Sequence, residues 1–173
     1  MDIAFRKGME KDLHQLMGII KDTIQVMSEN GNDQWTDEYP SEEHFLSDIK
    51  DNTLFVAVNE KDIPVGTVTI DKKAPAAYKE IDWRKDEEAF YIHRIAVDIH
   101  VRGQGIASKL LSFSDQFAKE QNIYYLRTDT YSLNEKAQKL FVKNGYVEVG
   151  MISAEASYLG KSRPFHAYDK ILF

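Results

Sequence analysis

The chain is predicted to be an α+β protein, a mixed sheet with helices packed on it. Two observations predict this. Apolar spacing switches between the two-residue period of strands and the 3.6-residue period of helices, in the order β-α-α-β-β-β-α-β-α-β-β. No internal repeat, low-complexity tract or Pro/Gly/Ser linker interrupts the 173 residues, which are therefore expected to form one domain spanning 1–173.

Ile3 to Arg6 reads as a short first strand. From Glu10 onward, Leu13, Leu16, Met17, Ile20, Ile24 and Met27 form one helical stripe, ended by Asn30-Gly31-Asn32. Ser41 is a candidate N-cap for a second helix to about Ile49, with Glu42 and Glu43 favourably placed at its positive end. Leu54–Val58 and Val65–Ile70 are β-rich and flank Asn59-Glu60-Lys61-Asp62, so they are expected to pair as an antiparallel hairpin. Residues 72–88 show no clean period and carry Pro75, Tyr78 and Trp83; an irregular stretch of this length is usually functional or mobile. Strand character returns at Phe90–Val97. A helix is expected from Gly103 to about Gln121, a strand over Tyr124–Thr130, and a helix from Asn134 to Asn144 stopped by Gly145. Tyr146–Ile152 and Phe165–Phe173 complete the sheet.

Composition narrows the function. A hydrophobic fraction of 43% and a charged fraction of 29% are ordinary for a globular protein. The net charge of -6 argues against general affinity for nucleic acid or anionic membranes, while permitting a cationic acceptor. The absence of cysteine excludes disulfides, thiolate metal sites and a cysteine nucleophile, and no metal centre is expected. The N-terminal apolar run is too short for a signal peptide, and no stretch approaches the roughly 20 apolar residues of a membrane span. A cytoplasmic location is the expectation.

The informative segment is the apolar strand Ile95-Ala96-Val97 leading into Arg102-Gly103-Gln104-Gly105-Ile106-Ala107-Ser108. Glycines permit a tight turn and close ligand approach. The helix that follows directs its first amides outward at the positive end of its dipole, a site suited to pyrophosphate. Arg102 adds a permanent cation, and Lys109 can add another. A lone Gly-x-Gly is more often a plain strand–helix turn. No G-x-x-x-x-G-K-[ST] string occurs. Gly103-x-Gly105-x-x-Ser108 is only a near match to the dinucleotide fingerprint, and it comes too late in the chain to open such a domain.

Two segments together resemble the GCN5-related N-acetyltransferase family. Arg102-x-x-Gly105-x-Ala107 meets its [Q/R]-x-x-G-x-[G/A] signature, and Asn134 to Tyr146 matches its asparagine-led helix ending in Gly-aromatic. The resemblance implies a mostly antiparallel twisted sheet with splayed fourth and fifth strands. It implies acetyl-CoA between strands ending near Val97 and Thr130. The amides of Arg102 through Ser108 would hold its pyrophosphate, and the Ile95, Ala96 and Val97 backbone its pantetheine arm. The Ile95 N–H would polarise the thioester carbonyl. Asn134 would hydrogen-bond the pantetheine or orient the acceptor, and Phe141 would lie on the cofactor side of its helix. The implied activity is direct acetyl transfer to a primary amine, on a small molecule or a peptide. A non-catalytic acyl-CoA-binding module of the same fold is the alternative, and a homodimer is compatible with the family.

Deprotonating the amine needs a base. His93 shares strand parity with Tyr91 and Ile95, and imidazole is the side chain whose reference pKa, about 6.5, suits such proton transfer near neutral pH. The rival reading is a hydrogen-bonded structural histidine. Asp129 is the second candidate, against a plain strand-end or salt-bridge role. Many family members carry tyrosine as general acid where this chain has Phe141, which cannot donate a proton. The thiolate then leaves with water or backbone help, or with Tyr131 or Tyr146 standing in. The resemblance places Trp35, Tyr39, Tyr78 and Trp83, with Tyr91, as the candidate acceptor wall, the rival reading being rings that pin loops to the core.

Overall fold

The computed structural model describes residues 1–153 and 163–173. Among these residues it has seven strands in the order β1-β2-β3-β4-β5-β7-β6, and four α-helices. The chain divides into two compact units, Met1–Ile70 with His93–Phe113 and Asp71–Ile92 with Ser114–Phe173.

The first unit holds β1 (Ala4–Lys7), β2 (Leu54–Val58), β3 (Pro64–Asp71, to Ile70) and the later part of β4 (Phe90–Val97). β1 runs antiparallel to β2, and β2 to β3, so the hairpin forms as expected. Its turn is built by Asn59, whose Oδ1 accepts the amides of Lys61 at 2.9 Å and Ile63 at 3.1 Å. Every residue of β2 and β3 is buried, which explains their near-continuous apolar character. The threonines survive burial because their hydroxyls are used: Thr67 donates to the Phe55 carbonyl at 3.0 Å.

Helices α1 (Leu13–Glu29) and α2 (Glu42–Lys50) cover one face. Leu16, Ile19, Ile20, Trp35 and Phe45 pack there on Leu54, Val56, Val58 and Ala96. Burial of each large side chain stabilises the fold by about 1.5–3 kcal/mol. The predicted stripe holds, with Leu13, Met17, Ile24 and Met27 as its half-buried margin. Ser41 precedes α2, and its N–H donates to His44 Nδ1 at 3.0 Å.

The second unit centres on β5 (Tyr125–Tyr131), antiparallel to β7 (Phe165–Ile171) in unbroken register, with β6 (Val147–Ile152) beyond β7. Phe90 and Tyr91 of β4 pair in parallel with Leu126 and Arg127 of β5. The paired residues stop there, although β4 continues to Val97 and β5 to Tyr131. This is the splay expected of strands 4 and 5. Where the ladder stops, the Thr128 hydroxyl donates to the Ile92 carbonyl at 2.9 Å.

Helix α4 (Glu135–Lys143) follows Asn134 and is closed by Gly145 at φ 88°. Residues 72–88 are strapped down rather than free. They contain a 3-10 turn at Ala76–Glu80, and Tyr78 is buried. The Trp83 indole donates to the Tyr78 carbonyl at 2.9 Å, and Arg127 Nη2 donates to the Lys85 carbonyl at 2.8 Å. Arg84 binds the fully buried Asp169 at 2.5 and 2.7 Å.

Candidate functional site

β4 ends at Val97, and the chain turns through a 3-10 segment at Ile99–Val101. Asp98 fixes this corner: its amide donates to the Val65 carbonyl at 2.8 Å, and its carboxylate accepts the His100 amide at 2.9 Å. Arg102 is extended, then Gly103 and Gly105 adopt φ 84° and 74°. Helix α3 (Ile106–Glu120) therefore starts three residues later than expected from Gly103, because left-handed glycines do not continue a right-handed helix. A Cβ at either glycine would meet nothing within 4 Å, so backbone conformation, not space, demands glycine here.

Arg102, Gly103, Gln104 and Gly105 are exposed. The first amide bonded within α3 is that of Lys109, donating to the Gly105 carbonyl at 3.0 Å. The amides of Ile106 and Ala107 lie before it, at the positive helix end. Ile106 and Leu110 are buried and root the helix. Gly66 sets its approach: a Cβ there would lie 3.1 Å from Leu110, 3.2 Å from the Ala96 carbonyl and 3.4 Å from Ile106. Nothing in the motif pointed to Gly66.

Half-buried Ile95 and buried Ala96 and Val97 precede this turn. Between His93 and Ile95, Arg94 adopts φ 48°. This left-handed residue interrupts the strand's alternation, so the parity argument linking Tyr91, His93 and Ile95 does not carry across it. The conformation costs a non-glycine residue on the order of 1 kcal/mol or more. Arg94 is held by Asp48 of α2 at 2.8 and 2.9 Å and by the Tyr39 hydroxyl at 3.1 Å. Burial alone would lower the guanidinium's proton affinity, but the neighbouring Tyr39 and Asp48 raise it overall. His93 is half-buried.

Tyr39 thus touches the residue between His93 and Ile95, whereas Trp35 is 7% exposed within the apolar core of the first unit. In the second unit, Asp129 accepts a hydrogen bond from the Tyr78 hydroxyl at 2.6 Å. Tyr78 packs on Trp83 and Tyr91, with ring centroids 5.0 and 5.7 Å away. Trp83 also lies under Arg127, its ring centroid 4.6 Å from the guanidinium carbon. Asp129, Trp83 and Tyr91 are therefore gathered around one side chain, Tyr78, itself a candidate for the acceptor wall.

Asn134 Oδ1 accepts the Ala137 amide at 3.2 Å and so caps α4. Phe141 is buried against Tyr146 and Tyr168, with centroids at 5.3 and 5.6 Å. Tyr146 is a poor stand-in for the missing acid. Complete burial and the charge of Asp115 push its phenol well above the ordinary value, which makes it hold its proton. Tyr131 is fully buried against Phe165. Among the described residues, no group of three or more His, Cys, Asp or Glu could hold a metal ion, and no helix is long and apolar enough to cross a membrane.

A family model described as Acetyltransferase (GNAT) family matches residues 20–146, which span β4, the glycine turn and α4. The chain belongs to the GNAT family. One relative is an uncharacterised N-acetyltransferase of Bacillus subtilis, YesJ, 23% identical over 92% of this chain and 85% of its own length. A GNAT-family acetyltransferase from Streptococcus agalactiae superposes with a TM-score of 0.85, at 22% identity over 99% of this chain and 96% of that one. A chain of the solved NatC complex bound to Gag peptide and CoA aligns over 100% of its length and of this chain, with a TM-score of 0.72 and 16% identity. These structural likenesses share the fold of this GNAT chain.

Proposed function

We propose that this GNAT protein is an acetyl-CoA-dependent N-acetyltransferase, acting as a single catalytic domain over 1–173. It moves acetyl to a primary amine, of a small molecule or a peptide, by direct transfer in a ternary complex. The observation that carries the reading is the turn from Arg102 to Ser108, with both glycines left-handed immediately before α3. CoA in the structurally similar NatC complex supports the choice of cofactor. Acetyl-CoA supplies an activated thioester carbonyl when bound.

The chain's residues take the remaining roles. Amides from Arg102, Gly103, Gln104, Gly105, Ile106, Ala107 and Ser108 neutralise pyrophosphate, assisted by the Arg102 charge. The backbone of Ile95, Ala96 and Val97 holds the pantetheine arm, and the Ile95 N–H polarises the carbonyl. Asn134 and Phe141 belong to the same cofactor set. His93 is the first candidate to take the amine proton. Asp129 already accepts from Tyr78, so its part is orientation or a water relay. Trp35 and Tyr39 of the first unit, and Trp83 and Tyr91 of the second, are the candidate acceptor residues.

Two observations favour a second reading, a non-catalytic acyl-CoA-binding module: Phe141 offers no proton, and Tyr146 is held protonated. A thiol leaving group, with a pKa of about 8.5, tolerates departure without a dedicated acid near neutral pH. Calorimetry with acetyl-CoA, followed by an amine screen with thiol-release detection, decides. Binding with turnover supports the enzyme, binding without turnover the module, and no binding defeats both. Within the enzyme, His93→Ala should lower turnover more than cofactor affinity.

A further inference from the structure

Four side chains from separate elements converge in the first unit on the middle of β4. Arg94 Nε and Nη2 donate to the two carboxylate oxygens of Asp48 at 2.9 and 2.8 Å, a fork-on-fork arrangement. Arg94 Nη1 donates to the Tyr39 hydroxyl at 3.1 Å. The Thr69 hydroxyl of β3 donates at 2.8 Å to Asp48 Oδ2, the oxygen that also accepts from Arg94 Nε. The Arg94 and Asp48 side chains are only 13% and 10% exposed, so water competes little with this network.

The residue so held is the one with φ 48°. An L-residue with a long side chain does not settle there unaided, since its Cβ crowds the backbone. The conformation also breaks the side-chain alternation of β4. Left-handed backbone at Arg94 rotates the peptide that follows, and the N–H of that peptide belongs to Ile95. A buried ion pair contributes little net stability as a rule; its better-attested use is to specify one conformation over another.

We propose that Arg94 is a positioning residue: Asp48 and Tyr39 grip its guanidinium, hold its backbone left-handed and thereby aim the Ile95 N–H at the acyl donor's carbonyl. The inference rests on the acetyl-CoA reading above and adds to it the device that sets the reactive geometry. It also gives Tyr39 a second task, since a residue bordering the acceptor grips the group that aims at the donor.

A plain structural role makes a different prediction. If the ion pair only pins α2 to the sheet, removing it costs the same whether alanine or glycine replaces Arg94. If its purpose is the left-handed backbone, glycine substitutes in part, because it adopts that conformation without penalty whereas alanine does not. The test is isotope-edited infrared spectroscopy of acetyl-CoA, carbon-13 labelled at its carbonyl, bound to the full chain. Wild type should lower the carbonyl stretch relative to free acetyl-CoA. Arg94→Gly should keep most of that displacement, and Arg94→Ala should lose it. Calorimetry should show the preference for acetyl-CoA over CoA reduced about tenfold more in Arg94→Ala than in Arg94→Gly.

A wild-type displacement in Arg94→Ala, or its equal loss in both variants, overturns the proposal. Should Arg94→Ala not fold, Asp48→Asn keeps the shape and weakens the grip. A partly reduced displacement then supports the proposal, and an unchanged one overturns it. If wild type binds acetyl-CoA with no displacement, the aimed N–H is wrong. If wild type binds no acetyl-CoA at all, the underlying reading fails and takes this inference with it.

Discussion

The turn at Arg102–Ser108 and the neighbourhood of Asp129 are built in opposite ways. The first is exposed and made of backbone: two left-handed glycines, a helix start and one flanking arginine. The second is made of side chains, with the Asp129 carboxylate tied to Tyr78, whose ring packs on Trp83 and Tyr91. A backbone site depends on a few consecutive residues and is sensitive to any added Cβ. A side-chain site depends on distant partners and tolerates change at each unless that partner is electrically coupled to it.

The most damaging change should be Gly105→Glu. It puts a side chain and a negative charge where φ is 74°, and acetyl-CoA affinity should fall roughly a hundredfold in calorimetry. The same variant should leave the melting temperature of the second unit's aromatic core almost unchanged. Affinity retained within threefold or so would mean that the turn is not the anion site.

Gly66→Ala comes next. Its new Cβ would press on Leu110, Ile106 and the Ala96 carbonyl, and overpacking of this kind costs about 1–3 kcal/mol. Denaturant melts should show the loss, and acetyl-CoA affinity should fall with it, because Ile106 opens α3. Destabilisation with unaltered affinity would separate helix seating from the turn.

Tyr78→Phe removes the phenol donor from Asp129 and nothing from the turn. Turnover on any accepted amine should drop about tenfold, with acetyl-CoA affinity unchanged. An unchanged turnover would return Asp129 to a structural role.

The smallest effect should come from Tyr146→Phe. Burial and Asp115 raise this phenol well above its ordinary value, so near neutral pH it is protonated with or without substrate. Turnover between pH 6 and 9 should therefore not change. The sign of its stability contribution follows from the same shift. A folded-state value raised above the unfolded one, about 10, gives stability present in full below that pH and lost as pH rises further. Wild type should weaken above about pH 10, and the phenylalanine variant should weaken less. A clear drop in turnover would restore Tyr146 as an acid.

The same contrast decides what was legible in the sequence. Asn59, Ser41, Asn134 and Gly145 announce turns and helix ends through their own chemistry, and the elements formed around them. The order of strands and helices followed, and with it the family. Gly103 and Gly105 look like helix entry in sequence but are left-handed in space, so α3 starts only at Ile106. The break at Arg94 was invisible because its cause is Asp48, 46 residues earlier. Tyr78 and Asp129 are 51 residues apart, and no periodicity in an irregular stretch could have joined them. Backbone-built chemistry is written in consecutive residues, whereas side-chain chemistry is written in tertiary partners.

The stack of Trp83 on Arg127 has an optical consequence. The chain has two tryptophans, and each compact unit contains one. Trp35 is buried in an apolar cluster, while Trp83 is half-buried with a cation against its ring and its indole N–H engaged. Their emission should differ in colour and in quenching. Trp35→Phe and Trp83→Phe would each leave a single lamp in one half of the molecule, so unfolding and ligand response can be watched in each half by its own light.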